Sequence, residues 1–164
     1  MPRTPPRVEV ETVSDAHEGR LEYALWQVNR TLLKALDDEL KPLCLTMAQY
    51  GTLNRLAVYG PMSAADLARD AGLRPQTVAQ NVTALLKAGH LHRRRHPVHK
   101  RVLLIEPTEQ GRRVWEDAER RVAAVEKRVH EALGERCHQE MCRDAWKIVD
   151  AFGGTPDEAA GERP

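Results

Sequence analysis

The densest run of chemically active side chains is LHRRRHPVHKRVLLI, residues 91–105, where five Lys or Arg and three His stand without a single acidic residue. The charge extends upstream. From Ala71 to Ile105 there is no Asp or Glu, while Arg74, Lys87, Arg93, Arg94, Arg95, Lys100 and Arg101 supply seven cations. The rest of the chain sets its 18 remaining Lys and Arg against all 24 Asp and Glu, a net of −6, although the whole sums to +1. Solvated surfaces usually mix their signs, so charge this segregated points to a polyanionic partner.

Just upstream, Gln76, Thr77, Gln80 and Asn81 offer amides and a hydroxyl near Lys87. Gln and Asn can pair two hydrogen bonds with adenine, and Thr can meet a thymine methyl. Catalysis is not indicated: the chain has no GxSxG, no phosphate-binding P-loop and no HExxH, and no catalytic residue or cofactor is assigned. Cys44, Cys137 and Cys142 are odd in number and lack CxxC spacing, which argues for reduced thiols over a disulfide framework or zinc knuckle.

These groups need a scaffold, and 164 residues are enough for one domain with a real core. Leu21, Leu25, Val28, Leu32, Leu36 and Leu40 recur at helical spacing until Pro42. Thr46 with Gln49 fits a capping box opening a second helix, and Ser63 with Asp66 fits another opening a short third one. A fourth helix starts near Pro75, buries Val78, Val82, Leu85 and Leu86, and ends at Gly89. Leu91 to Arg95 and Arg101 to Ile105 then read as strands of a hairpin around His96-Pro97-Val98-His99. Thr108 can cap a long helix that Gly134 interrupts, and a last helix presents Met141, Ala145, Ile148, Val149 and Phe152.

The predicted fold is therefore mainly α with a small β-wing: a winged helix-turn-helix flanked by N- and C-terminal helices. Ala68, Gly72 and Val78 have its spacing of small residue, turn glycine and apolar anchor. Residues 1–15 read as a disordered arm, 16–42 as a dimerisation helix, 43–107 as the DNA-binding domain, 108–152 as dimerisation helices and 153–164 as a disordered tail. No apolar run is long enough for a membrane span and the N-terminus lacks a signal-peptide core, so a cytoplasmic location is expected.

Residues 18–152 resemble the MarR family of transcriptional regulators. The resemblance is carried by LTMAQYGTLNRLAVYGPMSAADLARDAG, then RPQTVAQNVTALLKAGHLHRRR, then HPVHKRVLLIEPTEQG, in that order and spacing. It implies a homodimer joined by its first and last helices on a near-palindromic double-stranded operator, acting as a repressor. Residues 74–88 would enter the major groove and Arg101 the minor groove, with Arg93, Arg94, Arg95 and Lys100 on phosphates. The chain departs from the family where the wing aspartate two residues before the arginine becomes His99, and where His96 stands before Pro97 in place of a second one. Either another acceptor holds Arg101 or the wing is looser and more positive. Protonation of His96 and His99 would then raise DNA affinity as pH falls.

The resemblance also implies release by an effector. Trp26, Arg30, Tyr50 and Trp115 are candidates to line a pocket for a small aromatic molecule, against the plainer reading that they are core. A metal-responsive alternative rests on His90, His92, His96, His99 and the Glu126–His130 pair, although cations around the wing oppose a divalent ion and no metal ligand is assigned. A redox alternative rests on the three thiols; Cys137 and Cys142 stand roughly 140° apart round a helix, and Cys44 reads equally well as buried packing. Outside regulation, a winged helix can serve as a protein-docking module.

Overall fold

The computed structural model describes residues 20–153. The expectations for the 1–15 arm and for the tail beyond Gly153 lie outside the described residues, as do residues 16–19. The chain divides into two compact units, one ending at Ala35 and the other beginning at Leu36. The first holds most of helix α1 (Leu21–Leu40), on which Leu21, Leu25, Trp26, Val28 and Leu33 are exposed.

In the second unit, a 3₁₀ turn (Lys41–Leu43) carries Pro42 in its first turn and is closed by Cys44, which donates its N–H to the Lys41 carbonyl at 2.9 Å. Helix α2 (Met47–Val58) opens with the predicted reciprocal capping box, Gln49 N–H to Thr46 Oγ1 at 3.2 Å and Thr46 N–H to Gln49 Oε1 at 3.0 Å. Helix α3 (Ala64–Asp70) differs from the expected box. Ser63 accepts from the Asp66 N–H at 3.1 Å, but its hydroxyl donates to the Asp66 carboxylate at 2.6 Å, because Asp is one methylene too short to favour the reach back to the Ser63 N–H. Gly72, at φ +60°, turns the chain where a side chain would be strained, and helix α4 (Pro75–Lys87) follows.

Strand β1 (Leu91–Arg95) pairs antiparallel with β2 (Leu103–Pro107). The second strand therefore starts two residues later than the sequence predicts, and Arg101 falls in the turn. Leu91 meets Pro107 and Arg95 meets Leu103, which puts Leu91, Ile105 and Pro107 on one buried face. A one-residue slip would turn them to solvent, so core burial fixes the register. Met62 adds a third strand-like bridge, exchanging both backbone hydrogen bonds with Ile105 at 3.2 and 2.8 Å.

Thr108 caps helix α5 (Glu109–Leu133), accepting from Gly111 N–H at 2.9 Å while its hydroxyl donates to the Gly89 carbonyl at 2.7 Å. Gly111 lets that first turn press on the hairpin base: a Cβ there would lie 1.9 Å from the His90 carbonyl oxygen. Gly134 then separates α5 from α6 (Glu135–Ala151). The core gathers Leu40, Leu45, Tyr50, Leu53, Leu56, Leu67, Ala68, Val78, Val82, Leu85, Leu91, Ile105 and Ala118. Each fully buried Leu or Val contributes about 1.5–3 kcal/mol relative to exposure. Arg55 and Asp70, both partly buried, tie α2 to α3 at 3.1 Å.

Candidate nucleic-acid interface

Helix α4 turns Val78, Val82 and Leu85 into the core, and helical periodicity then fixes what faces away. Gln76, Gln80, Thr83 and Lys87, with Ala79 and Ala84, line a shallow hollow of about 460 Å³. Thr83 is a member that the sequence reading missed, though its spacing from Gln76, Gln80 and Lys87 is the signal that finds it. Two expected members sit differently. Thr77 is half-buried, and Asn81 is half-buried with its amide donated to the Ala48 carbonyl and the Thr52 hydroxyl, each at 3.3 Å. The expectation of Asn81 on the exposed face is corrected: it lies well round the helix from Gln80 and reaches α2.

The wing sorts its cations by strand alternation. Arg93 and Arg95 share a side with Leu91 but lie beyond the buried base and are exposed. His92 and Arg94 take the other side, where Glu106 lies directly opposite His92 and diagonally from Arg94. Its carboxylate accepts from His92 Nε2 at 2.9 Å and Arg94 Nε at 2.8 Å. The Arg94 hydrogen bond, with Arg94 and His92 charge, holds the Glu106 carboxyl below the usual carboxylate range against the opposing effect of burial. Glu106 falls one residue outside the acid-free segment, so a linear charge count placed it elsewhere.

At the tip, His96 N–H donates to the Val102 carbonyl at 2.9 Å and Val102 N–H to the His99 carbonyl at 2.8 Å. The His96 ring lies inside this turn, its Nδ1 accepting from Val98 N–H at 3.1 Å and His99 N–H at 3.0 Å. The side chains of Arg74, Lys87, Arg93, Arg95, Lys100 and Arg101 have no hydrogen-bond or ion-pair partner among the described residues. Arg101 has thus gained no substitute acceptor there for the missing aspartate.

The effector candidates divide between the two units, Trp26 and Arg30 in the first and Tyr50 and Trp115 in the second. On α1, the Arg30 guanidinium lies 5.3 Å from the Trp26 ring centre. In the second unit, the Tyr50 hydroxyl donates to Glu119, and Trp115 Nε1 donates to Asn54 Oδ1 at 2.9 Å, two rungs joining α2 to α5. Burial first, then the Glu119 hydrogen bond and charge, push the Tyr50 phenol above its ordinary pKa.

The candidates for metal or redox sensing also rearrange. His130 pairs with Glu135 at 2.6 Å, and Glu126 pairs with His138 at 2.6 Å in place of the expected His130, because the break at Gly134 brings the start of α6 back beside the end of α5. His90 is buried and its Nδ1 has no partner among the described residues; burial lowers its pKa. No group of three or more His, Cys, Asp or Glu among the described residues could hold a metal ion. Cys44 is exposed, which corrects the buried-packing reading, and Cys137 and Cys142 are exposed thiols as well.

Two helices joined through Gly72, with a basic hairpin after the second, define a winged helix-turn-helix protein. The MarR family model matches residues 45–103. The HTH-type transcriptional repressor Rv2887 of Mycobacterium tuberculosis is 32% identical over 114 residues, covering 70% of this chain and 82% of its own. CouR from Rhodococcus jostii RHA1, solved with p-coumaroyl-CoA, superposes with a TM-score of 0.71 at 28% identity, over 89% of this chain and 99% of that one. CouR bound to a 23-mer DNA duplex gives a TM-score of 0.69 at 26% identity, over 82% and 92%. The chain belongs to the MarR family of winged-helix transcriptional regulators. No helix among the described residues is long and apolar enough to cross a membrane.

Proposed function

We propose that this protein is a homodimeric, sequence-specific repressor that binds a near-palindromic DNA operator and is released by a small-molecule effector. The observation that carries the reading is the pairing of a polar α4 face, Gln76, Gln80, Thr83 and Lys87, with exposed cations on the adjoining wing that have no anionic partner among the described residues. The B-DNA major groove admits an α-helix, so α4 reads base edges while Arg93, Arg95 and Lys100 hold phosphates and Arg101 reaches the minor groove. Arg74, at the N-terminus of α4, adds a phosphate contact, and Thr77 and His99 flank the reading surface.

Dimerisation is supported by the exposed apolar residues of α1, by Met141, Trp146 and Val149 on α6 and by Phe152 just after it, which a second copy would cover. Segments 16–42 and 108–152 are assigned to that interface and 43–107 to DNA. CouR, solved with p-coumaroyl-CoA and, separately, with a DNA duplex, supports a small molecule and DNA as the two kinds of partner. Trp26, Arg30, Tyr50 and Trp115 are the residues assigned to effector recognition.

The test is fluorescence anisotropy on a duplex from the protein's own upstream intergenic DNA against a scrambled duplex, at several salt concentrations. Selective binding with a steep salt slope is expected, and the R93A/R94A/R101A variant should lose affinity with a slope shallower by about one unit per phosphate contact removed. Unchanged binding by that variant would overturn the assignment and favour a docking module.

A further inference from the structure

The wing tip is folded around one imidazole. Pro97 has no N–H, so the next two backbone donors, Val98 and His99, are free to turn inward, and both donate to His96 Nδ1. This is the arrangement an Asx turn builds with a carboxylate or amide oxygen, here made by a ring nitrogen. A nitrogen that accepts must keep its lone pair, so the turn requires neutral His96 with its proton on Nε2. A second proton would occupy that same lone pair, convert the acceptor into a donor and set it against two N–H groups.

Lys100 and Arg101 lie in the adjoining turn, closed by Val102 N–H donating to the His99 carbonyl, and His99 is the residue where that turn meets the one folded round the His96 ring. We infer that His96 is a positioning residue for DNA binding: its unprotonated Nδ1 holds the wing tip in the shape that presents Lys100 and Arg101, and protonation of this imidazole loosens the tip and weakens the grip. The inference rests on the wing gripping DNA, as proposed above. It opposes the simple expectation that a protonated wing histidine only adds attraction.

The other ionisable groups near His96 are specific. The His99 ring is 5.1 Å away, centre to centre. Across a groove of about 840 Å³ stand Asp66, Arg69 and Asp70 of α3 and Tyr59 after α2, over Pro61, Met62, Val102 and Leu104. Asp66 is occupied by Ser63 and Arg69, and Asp70 by Arg55. Both carboxylates are thus already partnered, and their attraction for an imidazolium is offset by guanidinium groups beside them.

Three proteins separate the possibilities: wild type, His96→Asn, whose amide oxygen can make the same turn at any pH, and His96→Ala, which cannot. Long-range nitrogen NMR of the histidines should show His96 as the Nε2–H tautomer at pH 8. Exchange protection of the Val98 and His99 amides, corrected for intrinsic rate, should fall on acidification to pH 5.5 in wild type, persist in His96→Asn, and be missing in His96→Ala at both pH values. These readouts need no DNA, so they stand or fall apart from the regulator reading. Binding to a duplex of the upstream intergenic region, at constant ionic strength, should weaken several-fold between pH 8 and pH 5.5 in wild type relative to His96→Asn. An Nδ1–H tautomer, or unchanged amide protection in His96→Ala, would overturn the turn. Identical pH profiles for wild type and His96→Asn on DNA, with the turn intact, would overturn its role in binding.

Discussion

Arg94 Nε donates to Glu106 Oε2 at 2.8 Å, so the basic arm of the wing carries its own anion, one strand away. The same carboxylate serves His92. Two of the wing's basic groups are therefore partly spent inside the protein, while Arg93, Arg95, Lys100 and Arg101 are not.

Glu106→Gln should raise affinity for nonspecific duplex DNA about two- to fivefold at low salt, with the gain fading as salt screens it. Glu106 is held below the usual carboxylate range in the folded protein. Its stabilising contribution is therefore complete above the unfolded carboxylate value, about pH 4–5, and disappears as pH falls through the lower folded value. Urea unfolding of wild type and variant should differ at pH 7 and converge in strong acid.

Asn81 and Gln80 are neighbours in sequence with different work. Asn81→Ala removes hydrogen bonds from α4 to Ala48 and Thr52 and should lower stability by about 1 kcal/mol, seen as a lower urea midpoint. Gln80→Ala, on the outward hollow, should leave the midpoint unchanged and reduce preference for the operator over a scrambled duplex.

The hairpin base depends on the first turn of α5. Thr108→Ala removes a cap and a bond to the Gly89 carbonyl and should cost about 1–2 kcal/mol. Gly111→Ala drives a methyl group into the His90 backbone and should cost more, about 3 kcal/mol or beyond, because backbone there must shift. Thermal or urea unfolding ranks the two; a milder Gly111→Ala would contradict the close approach.

Leu25 on α1 and Val149 on α6 are both exposed in the single chain. Leu25→Glu and Val149→Glu should each shift sedimentation equilibrium at micromolar concentration from the dimer mass toward the monomer mass, and monomeric variants should bind operator DNA more weakly. Wild type sedimenting as a monomer would remove the basis for this comparison and for the proposed dimer.

Much of the scaffold was legible because its signals are local. The Thr46 and Thr108 caps, the leucine stripe of α1 and the apolar anchors of α4 each follow from a few neighbouring residues. Pairing between separated residues was not. The register that starts β2 at Leu103 is set by burial of Leu91, Ile105 and Pro107, and the partner of Asn81 lies on another helix. The missed roles of Glu106 and Thr83 divide along the same line: Thr83 shows in helical spacing, whereas Glu106 needs the strand pairing to reach Arg94. The acceptor role of His96 Nδ1 depends on the shape of the turn, which residue type alone does not specify.

The hairpin is fastened at one end only. Its base is bonded to Met62 and buried at Leu91 and Ile105, whereas residues 97–103 are exposed. Substitutions at the tip therefore leave the hydrophobic core untouched, and substitutions at the base disturb it. A lineage can revise length, charge and turn chemistry at the outer end without losing the fold, so divergence in DNA preference and pH response can accumulate there while the inner end stays fixed.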